Sequence, residues 1–239
     1  MTTSERDHPG THHEHRDVSG GWLRPAVFGA MDGLVTNVSL IAGVGGGGGS
    51  QHAIVLTGLA GLAAGAFSMA AGEFVSVSSQ NELIHAEVDK ERHELTHNAA
   101  AEQAELAGML RQRGVSASTA RQAAAEISAH PENALAVHTL EELGVNAAEL
   151  PSPIVAAGAS LASFAVGAIV PLLPYLLGFD SLGVALGLSA LAAIIGGGLV
   201  ARLTSRPFWR GAARQLILGV FAAGITYLIG LGVGGLATG

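Results

Sequence analysis

Residues 33–72 of the chain read GLVTNVSLIAGVGGGGGSQHAIVLTGLAGLAAGAFSMAAG, a run of 40 positions without one Asp, Glu, Lys or Arg. A helix that crosses a bilayer needs about 20 mostly apolar residues, so the run is too long for a single span. Five Gly and a Ser interrupt it at residues 45–50, where a stable helix is not expected. The run therefore predicts two spans, at 25–46 and 53–76. Residues 150–179, 181–201 and 215–239 also lack those four residue types and predict three more spans, at 153–177, 182–202 and 214–236. Pro171 and Pro174 are expected to kink the outer end of the third span. The expected fold is an all-α membrane protein with five transmembrane helices.

Composition agrees with this reading. Charged residues make up 13% of the 239 positions, about half the share found in a soluble globular domain. That argues against an ordinary water-soluble enzyme. The lack of Cys excludes a disulfide scaffold, a Cys-based zinc site and a thiol redox centre. The net charge of −7 argues against a nucleic-acid partner, which needs a basic surface. Residues 1–21 form a polar tail containing His8, His12, His13 and His15. A tail of this kind is solvated or binds metal weakly. It does not read as a signal peptide, because the apolar run behind it is too long for an h-region.

Lys and Arg mark the cytoplasmic side of a membrane protein. Arg6, Arg16 and Arg24 precede helix 1, five basic residues lie between helices 2 and 3, and Arg202, Arg206, Arg210 and Arg214 lie between helices 4 and 5. The other connections have none. The N-terminus is thus expected in the cytoplasm and the C-terminus outside. Residues 82–149 hold 12 of the 19 acidic and 5 of the 12 basic residues, so this segment alone accounts for the whole net charge. Its Ala, Glu, Leu, Gln and Arg content favours helix. Gly114, Pro131 and Gly144 divide it, predicting helices near 82–113, 117–129 and 132–143. The expected organisation is a tail at 1–21, helices 1 and 2 at 22–80, a cytoplasmic acidic three-helix insert at 81–150, and helices 3 to 5 at 151–239.

Several residues carry chemistry. Asp32 lies about eight residues into helix 1, roughly 12 Å deep, where an ionisable group costs about 2.5–3.5 kcal/mol. Such a residue needs a cation, a proton or water beside it, or else a structural hydrogen bond near the interface. On helix 2, Gly61, Gly65, Met69 and Glu73 fall on one line at i+4 spacing. A soft thioether beside a hard carboxylate suits a borderline divalent ion such as Fe²⁺. Met69 alone would read as packing. In the insert, Glu87, Glu91, Glu94, Glu102 and Glu105 fall within about 80° of arc if their helix is unbroken. That stripe fits a solvated acidic face or a site for a multivalent cation, which would relieve the repulsion among the carboxylates. Asn98 could instead cap a new helix there. Two E-x-x-H tetrads, Glu82–His85 and Glu94–His97, have the spacing of di-iron sites. They lie 12 residues apart along one stretch, so they cannot face each other in one protomer.

The stretches FGAMDGLVTNVSLIAGV (28–44) and AGAFSMAAGEFVSVSSQNELIHAE (64–87) resemble the vacuolar iron transporter family. The resemblance extends over nearly the whole chain. It implies a homodimer that moves Fe²⁺, often Mn²⁺ as well, out of the cytosol in exchange for protons. It also implies a path at the dimer interface lined by Asp32 and Met69, and metal ligands in the insert at Glu91, Glu94, Glu102, Glu105 and Glu142. The plant pattern has two Met just before that last Glu, where this chain has His138 and Thr139. Imidazole can replace a thioether, so His138 joins the candidate ligands. A plant-type acid of helix 2 is replaced here by Gly61. The expected function is transport of Fe²⁺, with Mn²⁺ and Zn²⁺ as further candidate ions, through Asp32, Met69 and Glu73. The protein is expected to sit in the plasma membrane, with a vacuolar membrane as the alternative, and not to be an enzyme. A membrane-anchored di-iron oxidase and a metal sensor without transport are the competing readings.

Overall fold

The computed structural model describes residues 21–146 and 149–237. They form eight helices: α1 (Leu23–Gly46), α2 (Gln51–His97), α3 (Ala99–Gln112), α4 (Ala117–Ser128), α5 (Pro131–Glu142), α6 (Pro153–Leu176), α7 (Leu182–Leu203) and α8 (Phe208–Ala237). Five of them, α1, α2, α6, α7 and α8, are long and apolar enough to cross a membrane. His8, His12, His13 and His15 lie outside the described residues. The glycine run ends α1 and makes the turn, with Gly48 at φ +77°. Ser50 then caps α2 by accepting from Ala53 N at 3.3 Å. Ser152 and Ser181 cap α6 and α7 in the same way. Helix α8 starts before the expected 214, because its first two turns carry Arg210 and Arg214 and so lie ahead of the apolar run. Helix α6 continues through Pro171 and Pro174 to Leu176.

The acidic segment departs from expectation. The first insert helix, expected over 82–113, is not a unit. Its first half is the continuation of α2, which runs on from the membrane span to His97. The chain then breaks at Asn98, at φ −124° and ψ 31°. Asn competes with the helix for backbone hydrogen bonds. Here its side chain donates to Glu94, and its carbonyl accepts from Ala101 N at 2.8 Å and Glu102 N at 3.2 Å to start α3. The segment is therefore the polar end of α2 with three shorter helices, α3, α4 and α5.

Packing in the bundle buries Phe164, Ile41 and Leu172 but leaves many other large apolar side chains outside. Phe67 is 71% and Ile154 74% exposed, while Ala156 and Ser160 are fully buried. This is the pattern expected when lipid is the solvent and small residues bring helices together. Helix α1 packs against α6, α8, α2 and α7. Gly29 and Gly33 lie on the backbone of α6 at Ser160 and Phe164, and Gly167 lies on Ala30. Asn37, fully buried, donates to Ala168 O across the same contact. Gly197 and Gly211 bring α7 onto α8.

Contacts between helix ends define two ends of the bundle. Gly21 touches Pro151, and Asn81 donates to Pro151 O at 2.9 Å. Met31 reaches Gly196, and Phe208 lies on Gly198. At the opposite end Gln51 donates to Tyr175 O at 3.2 Å, and Gly45 meets Leu182. The membrane helices' described arginines, Arg24, Arg202, Arg210 and Arg214, all belong to the first end, from which α2 carries the acidic segment.

A β-carbon at Gly33 would overlap the carbonyl of Phe164, whereas one at Gly72 would meet nothing. Gly33→Ala should lower stability by about 1–3 kcal/mol, and Gly72→Ala should leave it unchanged or slightly higher. Thermal unfolding of the detergent-solubilised protein tests this, and equal melting of the two variants would contradict the packing described.

Candidate metal site

The polar end of α2, the start of α3 and the end of α5 meet around one imidazole. His138 is fully buried on α5. Its Nδ1 lies 3.0 Å from Glu91 Oε1 on α2, 3.3 Å from Glu142 Oε1 on α5 and 3.7 Å from Glu102 Oε2 on α3. One ligand atom from each of the four residues falls within 4.8 Å of the others. A ring nitrogen carries one proton at most, so it cannot satisfy three carboxylates. Its alignment suits Glu142 Oε1, and the buried Glu91 Oε1 is left without a hydrogen bond. Nε2 of His138 is buried and unpartnered as well. Three carboxylates and one borderline nitrogen form a donor set that a divalent cation would neutralise.

The electrostatics follow from this crowding. Burial pushes the Glu91 carboxyl above its ordinary range. Glu142, Glu102 and Glu105 add to that rise, while His138 opposes it. Glu102 is raised for the same first reason, with Glu105, Glu142 and Glu94 adding and His138 opposing. A salt bridge from Arg113, at the end of α3, to Glu141 on α5, 2.7 Å long, ties the two helices together beside the cluster.

The candidate residues divide into two groups. Glu91, Glu102, His138 and Glu142 come together. Glu94 is half-buried on α2 and holds Asn98, and Glu105 is exposed on α3. Both act on Glu102 through charge, outside the four-residue group. The Glu stripe is therefore divided between two helices. The E-x-x-H residues stay on α2, where Glu82, His85 and His97 are exposed and His97 stacks on His93. Sequence reasoning missed the Arg113–Glu141 tie, for which the residues carry no local signal.

The membrane residues each have their own surroundings. Asp32 is half-buried and accepts from the Thr36 hydroxyl at 3.4 Å. Among the described residues no basic side chain pairs with it. Thr36, Ser39 and Thr226 line a groove between α1 and α8. Met69 packs with Leu62 and Leu161 against Ala66, Phe164 and Ala168. Glu73 is half-buried one turn further along α2.

These features define a helical membrane protein with five spans and an acidic helical head. A family model described as the VIT family matches residues 23–231. A protein of Acanthamoeba castellanii named vacuolar iron transporter is 34% identical over 224 residues, covering 91% of this chain and 81% of that protein. Vacuolar iron transporter homolog 1 of Oryza sativa is 34% identical over 218 residues, covering 86% and 71%. Vacuolar iron transporter homolog 1 of Arabidopsis thaliana is 34% identical over 209 residues, covering 86% and 80%. The chain belongs to the VIT family.

Because Glu91 and Glu102 are raised in the folded state, the fold binds their protons more readily than the unfolded chain does. Their contribution to stability is full below the ordinary carboxylate pKa and is lost as pH rises through the raised values. With a chelator present, amides of α3 and α5 should therefore exchange hydrogen faster at about pH 7 than at about pH 5, relative to α8. The double variant Glu91→Gln, Glu102→Gln should flatten that difference. An unchanged slope would show that these groups do not control it.

Proposed function

We propose that the chain transports a divalent metal, Fe²⁺ first, out of the cytosol in exchange for protons. The observation that carries this reading is the set of three carboxylates around the His138 imidazole, on a head rooted in the second membrane helix. In this reading residues 81–150 face the cytoplasm, as the arginines of the same end indicate, and the C-terminus lies outside. The head collects the ion at Glu91, Glu102, His138 and Glu142, with Glu94 and Glu105 supplying further negative potential. Carboxylate oxygens exchange for the ion's water, and imidazole favours a transition ion over Ca²⁺ or Mg²⁺. Mn²⁺ and Zn²⁺ satisfy the same donors.

The ion then passes Glu73, Met69 and Asp32 between two copies of the chain. A carboxylate binds either a proton or a metal ion, and that competition couples the two fluxes. Asp32 is the group on which the path depends: a half-buried acid in a membrane span, with a neutral hydroxyl as its hydrogen-bond donor, stays charged only if a cation visits. The names of the relatives, which are iron transporters, support metal as the cargo. They favour a transporter over an enzyme. The membrane is then the plasma membrane or a vacuolar one.

Proteoliposomes with an imposed pH gradient test the proposal. Fe²⁺ uptake by the parent protein should be accompanied by proton movement the other way. Asp32→Ala should lower it by about tenfold or more, and parent-like flux in that variant would remove Asp32 from the path. Binding to the head is tested separately by calorimetry with Mn²⁺ as the probe. Glu102→Gln and His138→Ala should each weaken binding by roughly tenfold or more, and Glu126→Gln on α4 should not.

A further inference from the structure

The four arginines of the α7–α8 hairpin lie in a stretch of chain without any acidic residue. Residues 181–239 contain Arg202, Arg206, Arg210 and Arg214 and not one Asp, Glu or Lys. In the head, three of the five basic residues, Lys90, Arg92 and Arg113, have an acid partner, and Arg111 and Arg121 lie on helices that also carry Glu. None of the four hairpin arginines is in an ion pair among the described residues, and all four are exposed. Two of them lie against aromatic rings. The Arg202 guanidinium lies 5.3 Å from the Phe208 ring centroid, and that of Arg210 lies 5.3 Å from the ring of Trp209, itself exposed.

The faces on which they sit continue into the membrane. On α8, Arg210, Arg214, Ile217, Phe221 and Leu228 fall within about 60° of arc, and Ile217, Phe221 and Leu228 are about two-thirds exposed, at 66%, 67% and 66%. On α7, Arg202 heads a matching stripe of Ile195, Leu191 and Val184, all exposed. Each helix of the pair thus carries an exposed apolar stripe headed by guanidinium groups. A topology signal needs only positive charge on one side. It does not need arginines without counter-ions, aligned over apolar stripes and flanked by an interfacial Trp.

We propose that this surface is a binding site for anionic phospholipid. The lipid phosphate takes paired N–H donors from the guanidinium groups, and its acyl chains lie along the stripes below. Charge complementarity selects the occupant, because the patch carries four positive charges and no compensating acid.

The test is native mass spectrometry of the full-length protein released from detergent with phosphatidylglycerol or phosphatidylcholine of identical chains. Phosphatidylglycerol should be retained at roughly tenfold lower concentration than phosphatidylcholine. Arg210→Gln with Arg214→Gln should remove most of that tenfold preference by lowering phosphatidylglycerol retention and leave phosphatidylcholine unchanged. Arg210→Lys with Arg214→Lys should fall between. Arg24→Gln, at the same end of the bundle but outside the patch, should have no effect. Should the double variant fail to accumulate, rising salt applied to the parent must release phosphatidylglycerol and spare phosphatidylcholine. Equal retention of the two lipids, loss of neither with salt, or variants that change oligomeric state while retaining the lipid would overturn the proposal.

Discussion

Lipid gives apolar helices no reward for leaving it, so the bundle depends on how closely its backbones approach. Glycines on α1 and α6 supply that approach, at Gly29, Gly33 and Gly167, and Asn37 spends its amide on Ala168 O at the same seam. Everything else is positioned from there. With α6 fixed on one side, α8 on another and α2 beside them, the part of α1 carrying Asp32 and Thr36 borders the groove between α1 and α8 rather than the packed seam. The acid is therefore left neither in bulk water nor inside the α1–α6 contact.

A second constraint governs the head. Had residues 82–112 formed one helix, Glu91 and Glu102 would stand about 16 Å apart along it and could not share a ligand. The break at Asn98 turns α3 back, so that both carboxylates reach His138 Nδ1. Closeness then costs each of them its water, and burial is the largest cause of the raised carboxyl pKa at both positions. A local backbone event, one asparagine that stops a helix, thus converts an acidic stripe into a pocket with excess negative charge.

The five spans were legible because charge is absent from long runs, and that signal does not depend on packing. The glycine turn was legible because it is local. The candidate ligands were visible as residue types, and His138 stood out against the family pattern. Which of the six would meet was not visible. That depended on whether Asn98 ended a helix, and an Asn between two good helix formers sits close to the balance point. The choice was settled by tertiary packing of α3 on α4 and of α5 on α2, which no periodicity encodes. The Arg113–Glu141 tie belongs to the same class, since its partners lie 28 positions apart in the chain. Met69 shows the reverse case. Its line with Gly61 and Gly65 was read correctly as a helix face, but that face packs on Phe164 in the single chain.

The two groups of acids on α2 cannot act as one site. Glu73 and Glu91 are 18 residues apart on a continuous helix, about 27 Å, so one ion cannot touch both at once. In the proposed transport, a site that only held its ion would stop the flux. The head has two properties that work against permanent retention. Its carboxyls prefer protons more than ordinary carboxyls do, so protons compete with the ion at milder acidity. It also takes two of its four ligands, His138 and Glu142, from one short helix. A small displacement of α5 would remove half of the donor set together, leaving Glu91 and Glu102 with too few oxygens to hold the ion. In the proposed site retention rests on the seating of α5, which the Arg113–Glu141 bridge, exposed at its arginine end, supports together with the contacts of His138 to Glu91 and Glu102.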